Sequence, residues 1–382
     1  MKDIILLGAT GSIGSQTLDI IDKNPHLYTL KAFSFGHNIN KALEIIEKFK
    51  PLMVCTPFDD CYEEIKRLTN ILVTKSLEEV SSFETGNPYV VNAIVGIDGL
   101  IPTITAIKKN RVLLLANKES LVMAGELVNQ LLDEHNSVIV PIDSEHSALY
   151  QLLHKEYHST VKKLIITASG GALRDYPIEK LNNVKAQDAL KHPNWQMGAK
   201  ITIDSATMIN KVFELIEAHY LFRFSIDSIK AVMDRRSIVH ALVEMENGMV
   251  AYHQAQNDMH LPIEYALQYP DSIDFNLANE LVEANQVMER CHLEELDINR
   301  FKVLKLAKHV IETKGFSGVI LTTINDIFVD KFLKDECGFL DIENNIFKYL
   351  NIYEDKFKDL EYNIENIIKV KELIIKEVNK KW

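Results

Sequence analysis

The chain has 382 residues, of which 47% are apolar, 25% charged and 8% aromatic, enough to bury a core in roughly two to three domains. That composition excludes a disordered, collagen-like or disulfide-built chain. Lys and Arg number 42 against 54 Asp and Glu, a formal charge of -12, the wrong sign for a general nucleic-acid or anionic-membrane binder.

The chain opens on Ile4–Leu7, an apolar run too short for a signal-peptide core, followed at once by a glycine turn. Up to about residue 150, β-branched runs alternate with amphipathic stretches. Ile4–Leu7, Leu30–Phe35, Leu52–Cys55, Ile71–Val73, Tyr89–Ala93, Val112–Ala116 and Val138–Ile142 read as strands. Gln16–Asp22, Lys41–Phe49 and Leu121–Glu134 read as helices. This alternation predicts a parallel sheet with helices on both faces, and a run as apolar as Val112–Ala116 suits a strand buried on both sides. The apolar stretch Tyr89–Ile107 is broken by Gly96, Asp98, Gly99 and Pro102, so no membrane span is expected.

From 151 to 290 the pattern is less regular. Strands are predicted at Lys163–Thr167, Ala231–Met233 and Met249–His253, among helices and polar connections. From 291 to 382 it changes again. Phe301–Thr313, Ile320–Phe332 and Ile364–Val378 are amphipathic at helical spacing and predict a helical bundle. Cys55, Cys61, Cys291 and Cys337 form no Cys-x-x-Cys pair, which fits a reducing, cytoplasmic setting.

Gly8-Ala9-Thr10-Gly11-Ser12-Ile13-Gly14 joins the first strand to a helix. Glycines there allow a tight turn and close backbone approach, and the helix N-terminus offers N–H groups to a pyrophosphate; the alternative is a plain glycine turn. After the second strand comes Gly36-His37-Asn38, where an NAD enzyme favours an acidic residue on the ribose 2′-hydroxyl. None is present, so NADP is favoured.

Asp143-Ser144-Glu145-His146 stands at a predicted strand end. In extended backbone the two carboxylates project to one side, as a pair of hard ligands for Mg²⁺ or Mn²⁺ or as an ordinary solvated loop. Asn210, Lys211 and Glu214 share one helical turn after Ser205 and Thr207, which makes either a surface ion pair or a phosphate clamp with a further metal ligand beside it. Ser169-Gly170-Gly171 is a small-residue nest suited to phosphate oxygens. Between these lies a long, locally basic stretch, 185–200, containing His192-Pro193-Asn194-Trp195-Gln196-Met197-Gly198. It reads as a mobile lid or as a tryptophan docked in the core.

These segments, with Ala116-Asn117-Lys118-Glu119-Ser120, occur in an order that closely resembles the 1-deoxy-D-xylulose 5-phosphate reductoisomerases. The resemblance implies an N-terminal Rossmann-like domain (1–150), a central α+β catalytic and dimerisation domain (151–290) and a C-terminal α-helical domain (291–382). It implies a homodimer that uses NADPH and a divalent cation to convert the deoxyxylulose phosphate to 2-C-methyl-D-erythritol 4-phosphate. Asp143, Glu145 and Glu214 become metal ligands. Ser169, Ser205, Asn210 and Lys211 hold the phosphate. Lys118, Ser144, Glu145 and His192 contact substrate, with Trp195 and Met197 as lid and His240 and Met259 as further site positions; Lys118, Glu145, His192 and His240 are the expected catalytic set. Thr10, Gly11, Ser12, Ile13, Gly36, His37, Asn38, Asn117, Glu119 and Gly198 fall at NADPH-contact positions.

The sequence departs from the family pattern in four places. His37 stands for a usual Lys, Asp234-Arg235-Arg236-Ser237 for His-Pro-Gln-Ser, Val212-Phe213 for Gly-Leu, and Ala255-Gln256-Asn257 for Gly-Glu-Pro. A semialdehyde dehydrogenase, which shares the Gly-Ala-Thr-Gly start, would need an activated cysteine, and neither Cys291 nor Cys337 has the neighbours for one. A redox-sensing NADP-binding regulator would need neither the acidic set nor the lid.

Overall fold

The computed structural model describes residues 1–153, 160–195, 197–270 and 293–380. Cys291 and the boundary expected at 290 lie outside them, as does Gln196 of the predicted lid. The chain divides into two compact units.

The first unit opens with β1 (Lys2–Leu7), α1 (Ser12–Lys23), β2 (Tyr28–Ser34), α2 (Ile39–Phe49), β3 (Met53–Cys55), α3 (Asp59–Leu68) and β4 (Leu72–Thr74). It continues through α4 (Leu77–Ser81), β5 (Tyr89–Asn92), α5 (Leu100–Lys108), β6 (Val112–Leu115), α6 (Glu119–Glu134, of which Leu121–Gly125 counts with the second unit), β7 (Val138–Pro141) and the start of α7 (Ser144–Leu152), which from Ala148 on belongs to the second unit. The strands form a parallel sheet in the order β4-β3-β2-β1-β5-β6-β7. Ile4, Ile5, Leu6 and Leu7 are fully buried, as a strand covered on both faces requires. The crossover direction reverses between β1 and β5, where open α/β sheets place their ligands.

The second unit holds a mixed sheet, β11-β10-β8-β9-β12, built from β8 (Val161–Ala168), β9 (Ile229–Asp234), β10 (Val239–Met245), β11 (Val250–Gln254) and β12 (Leu293–Glu295). Before β9 come α8 (Ala186–Ala189), α9 (Ala199–Ala206) and α10 (Ile209–Phe222). After β11, α11 (His260–Gln268) lies in the first unit. Its C-terminal carbonyls, on Leu267, Gln268 and Tyr269, accept from Lys2 Nζ at 3.1, 2.9 and 2.7 Å, a cation placed where helix carbonyls lack partners.

The C-terminal helices are α12 (Lys305–Thr313), α13 (Ser317–Leu333), α14 (Phe339–Phe357) and α15 (Ile364–Asn379), and they belong to the second unit. Val319, Ile320, Leu321, Ile324, Phe328, Val329 and Phe332 are buried on α13, because both α14 and α15 pack on it. Among the described residues no helix is long and apolar enough to cross a membrane.

Candidate functional site

In the first unit, β1 ends in a turn on Gly8 (φ 80°). A Cβ on Gly14 would lie 2.3 Å from the Gly8 carbonyl oxygen, so the helix can begin this close to the turn only without a side chain there. Gly8 N–H donates to Ser34 Oγ at 3.0 Å and Ala9 N–H to the Ser34 carbonyl at 2.8 Å, which ties the loop to the end of β2. Helix α1 starts after Gly11 with no side-chain cap and no acidic residue in its first turn. Its uncapped N–H groups, around Ser12 and Ile13, fit an anionic diphosphate.

Beyond β2, Gly36 is held through its carbonyl by Thr56 Oγ1 at 3.2 Å. His37 is exposed and stacks on Phe58 with ring centroids 3.7 Å apart. Asn38 caps α2, its Oδ1 accepting from Lys41 N–H at 3.1 Å. The Lys41 ammonium then reaches back to the Thr10 carbonyl at 3.2 Å and to Ser15 Oγ. The structure therefore joins the two expected cofactor segments through a lysine that the motif reading does not name.

Asn117 is a buried strut. Its Nδ2 donates to the carbonyls of Ile94 and Gly96 at 2.7 Å each and to Glu119 Oε2 at 3.1 Å. It thereby shapes the loop after β5, on the other side of the sheet's switch point. Next to it, Lys118 Nζ lies 2.6 Å from Asp143 Oδ2. Asp143 Oδ1 meets His146 Nδ1 at 2.9 Å and accepts from Glu145 N–H at 3.3 Å, and Ser144 Oγ donates to Glu145 Oε2 at 2.5 Å. Burial opposes ionisation of Asp143, yet the Lys118 ammonium and His146 hold its carboxyl well below the usual carboxylate range. Asp143 is thus kept as an oxygen donor directly after β7, with the Glu145 carboxyl two residues on, and both are of the hard kind that suits Mg²⁺ or Mn²⁺. Met259, just before α11, is half-buried in the same unit.

In the second unit, β8 runs into Ser169-Gly170-Gly171, with φ of 82° and 70° at the two glycines. A Cβ on Gly171 would stand 2.5 Å from the Ser205 carbonyl oxygen, so this turn and the end of α9 are in direct backbone contact. Met208, in the left-handed region (φ 64°), redirects the chain into α10. There Asn210 and Lys211 both bond Glu214, and the Lys211 ammonium also donates to the Thr167 carbonyl at the end of β8. Lys211 and Glu214 are buried, so this is no surface ion pair. Ser169, Ser205, Asn210, Lys211 and Glu214 lie where the ends of β8 and α9 meet the start of α10. Val212 and Phe213, the departures from Gly-Leu, are buried in the core.

His192 fixes the state of Ser169. Its Nδ1 accepts N–H bonds from Asn194 at 3.2 Å and Trp195 at 2.9 Å, so the ring proton sits on Nε2 and faces Ser169 Oγ at 2.9 Å. Ser169 Oγ also accepts from Gly171 N–H at 3.1 Å, which leaves its hydroxyl proton to donate elsewhere. Burial, reinforced by the Arg174 guanidinium, pulls His192 down to about 4. Arg174 Nη1 donates to the carbonyls of Ser169 and Arg235 at 2.7 and 2.8 Å.

Trp195 is half-buried and packs toward the buried His240, ring centroids 6.3 Å apart. Its neighbour Asn194 donates to the Arg235 carbonyl at 2.9 Å and to Ser237 Oγ at 2.8 Å. Met197 is half-buried, and Gly198 is exposed before α9 with nothing within 4 Å of an added Cβ. The Asp234 departure has a structural account. Its buried carboxylate accepts from the N–H groups of Arg236, Ile238 and Val239 at 3.1, 3.0 and 2.9 Å, and so caps the turn that receives Asn194. Nothing in the structure explains Ala255-Gln256.

Models of the 1-deoxy-D-xylulose 5-phosphate reductoisomerase domains match residues 4–125, 139–222 and 255–376. The reductoisomerase of Macrococcus caseolyticus is 43% identical over 93% of this chain and 94% of its own. A solved DOX-P reductoisomerase in complex with NADPH, fosmidomycin and magnesium superposes with a TM-score of 0.89 at 35% identity, covering 100% of this chain and 98% of that one. The Zymomonas mobilis enzyme in complex with NADPH gives 0.85 at 30% identity, covering 97% and 96%. The chain belongs to the 1-deoxy-D-xylulose 5-phosphate reductoisomerase family.

Proposed function

We propose that this protein isomerises and reduces 1-deoxy-D-xylulose 5-phosphate to 2-C-methyl-D-erythritol 4-phosphate, with NADPH and a divalent cation, in isoprenoid biosynthesis. The observation that carries this reading is the Lys118–Asp143–His146 cluster beside Glu145. It keeps two carboxylates available at the end of a parallel strand, in a unit that also holds an uncapped glycine loop for a dinucleotide. The relatives' complexes with NADPH and magnesium support the same pairing.

Asp143, Glu145 and Glu214 would hold the cation, and all three are hard oxygen donors. When bound, the cation polarises the oxygens of the hydroxyketone and NADPH supplies the hydride. The chain's own residues do the rest. Ser169, Ser205, Asn210 and Lys211 grip the phosphate, remote from the reacting carbons, and that grip orients the ketose. The His192 Nε2–H holds Ser169 so that its hydroxyl proton points to a phosphate oxygen. Lys118 and Ser144 contact the substrate, and Trp195 with Met197 closes over it to exclude water. Thr10–Ile13, Gly36–Asn38, Asn117, Glu119 and Gly198 contact the dinucleotide, with His240 and Met259 completing the site. The active form is a cytoplasmic homodimer, a reading supported by the sparse cysteines and by the family pattern.

The test is NADPH oxidation by the purified protein on the deoxyxylulose phosphate, with and without EDTA. Turnover is expected only with Mg²⁺ or Mn²⁺, and Glu214→Gln should abolish it while NADPH still binds. Turnover that survives EDTA would refute the metal assignment. Near-normal turnover in Glu214→Gln would remove that residue from the ligand set.

A further inference from the structure

In a chain of formal charge -12, lysines of the first unit are commonly matched to carboxylates. Lys23 pairs with Asp19, Lys48 with Asp22, Lys75 with Asp59 and Lys109 with Glu84. Lys41 differs. Its ammonium bonds only neutral oxygens, the Thr10 carbonyl and Ser15 Oγ, and among the described residues it has no carboxylate partner. A half-buried cation is therefore held over the glycine loop with its charge uncompensated.

Its place in the fold narrows what it serves. Lys41 is in the first turn of α2, whose N-cap Asn38 follows the short Phe35-Gly36-His37 segment after β2. The glycine loop after β1, the segment after β2 and the start of α2 together surround the adenosine ribose in a dinucleotide-binding sheet. His37, exposed in the segment after β2, has its ring packed against Phe58 with centroids 3.7 Å apart.

We propose that Lys41, rather than His37, recognises the ribose 2′-phosphate of NADPH and so sets the preference over NADH. The ammonium exchanges its two neutral acceptors for phosphate oxygens, which gives charge-assisted bonds that NADH cannot offer. This rests on the NADPH reading above.

The test is dinucleotide affinity of the full-length protein by calorimetry, with NADPH and NADH as separate ligands. Lys41→Met should weaken NADPH roughly tenfold to a hundredfold, the range for a lost hydrogen bond to a charged group, and leave NADH within about twofold. Lys41→Arg should keep the preference, and His37→Ala should change it by less than about threefold on the same scale. NADPH, but not NADH, should shield Lys41 from acetylation in the unmodified protein, read by mass spectrometry. Equal weakening of both ligands in Lys41→Met would make Lys41 a pyrophosphate contact and overturn the proposal. Loss of preference in His37→Ala alone, or acetylation of Lys41 unaffected by NADPH, would overturn it too. A wild-type protein that binds neither dinucleotide defeats the NADPH reading itself, whereas one that binds both equally defeats the 2′-phosphate assignment.

Discussion

Lys118 and Asp143 form an ion pair with Nζ and Oδ2 2.6 Å apart and side chains only 7% and 12% exposed. So deep a pair is costly to make and costlier to break, because the survivor is left as a buried charge. Lys118→Met should therefore lose about 3–5 kcal/mol of stability along with turnover. The Lys118→Met, Asp143→Asn double variant should recover most of that stability without recovering activity. Urea unfolding of the two variants in EDTA gives the comparison, and an unchanged midpoint for Lys118→Met would show that the pair contributes nothing.

A second prediction concerns protonation of His192. Its folded value, about 4, lies below the unperturbed 6.5, so the folded protein favours the neutral ring. The stabilisation from the neutral ring is complete above pH 6.5 and is lost as pH falls toward 4, where the unfolded chain binds the extra proton. Protonating Nδ1 also ejects the N–H groups of Asn194 and Trp195. The loop carrying Trp195 should therefore stay fixed down to about pH 5 and loosen only as pH falls through about 4. An NMR titration of the His192 ring gives the value directly, and a midpoint at or above 6.5 would contradict the depression by burial and Arg174.

Gly14 of the glycine loop and Gly198 of the expected cofactor set should behave differently. Gly14 has the Gly8 carbonyl oxygen 2.3 Å from where a Cβ would go, and that oxygen is backbone, unable to swing aside. Gly14→Ala should cost about 1–3 kcal/mol and displace the loop proposed to hold the dinucleotide, abolishing NADPH binding. Gly198, with φ -61° and ψ 157°, has ordinary backbone and open space around it. Gly198→Ala should leave stability within about 0.5 kcal/mol. Thermal melts with and without NADPH separate the two cases.

What was legible in the sequence is what local pattern and short spacing encode. The buried strands of the first sheet, the glycine loop and the 143–146 cluster all announce themselves within a few residues. Helix α14 shows no clear apolar stripe in the sequence, although Ile342, Ile346, Tyr349, Leu350 and Tyr353 are buried along it, because polar residues dilute the pattern. Strand β10 carries His240 and Glu244 inside Val239–Met245, so its run does not read as apolar. The long-range contacts were invisible for a different reason. Lys41 reaches Thr10 across 31 positions and Asn194 reaches Ser237 across 43, and only the folded topology brings such pairs together. Asp234 looked like a loss of family pattern, yet its three N–H bonds make it the organiser of its turn.

That turn supplies the last prediction. Asn194 donates both of its side-chain bonds to it, one to the Arg235 carbonyl and one to Ser237 Oγ, and thereby fixes the backbone that presents Trp195 toward His240. Removing these bonds in Asn194→Ala should cost about 0.5–1.5 kcal/mol each, raise KM several-fold and shift the Trp195 fluorescence. Asn194→Asp is the sharper probe. It keeps the shape but replaces the donor with an anion facing a carbonyl oxygen, so it should be worse than alanine in both KM and loop order. If the tether were only space-filling, aspartate would behave like asparagine, and steady-state kinetics with fluorescence on the two variants decides between a directed hydrogen bond and simple packing.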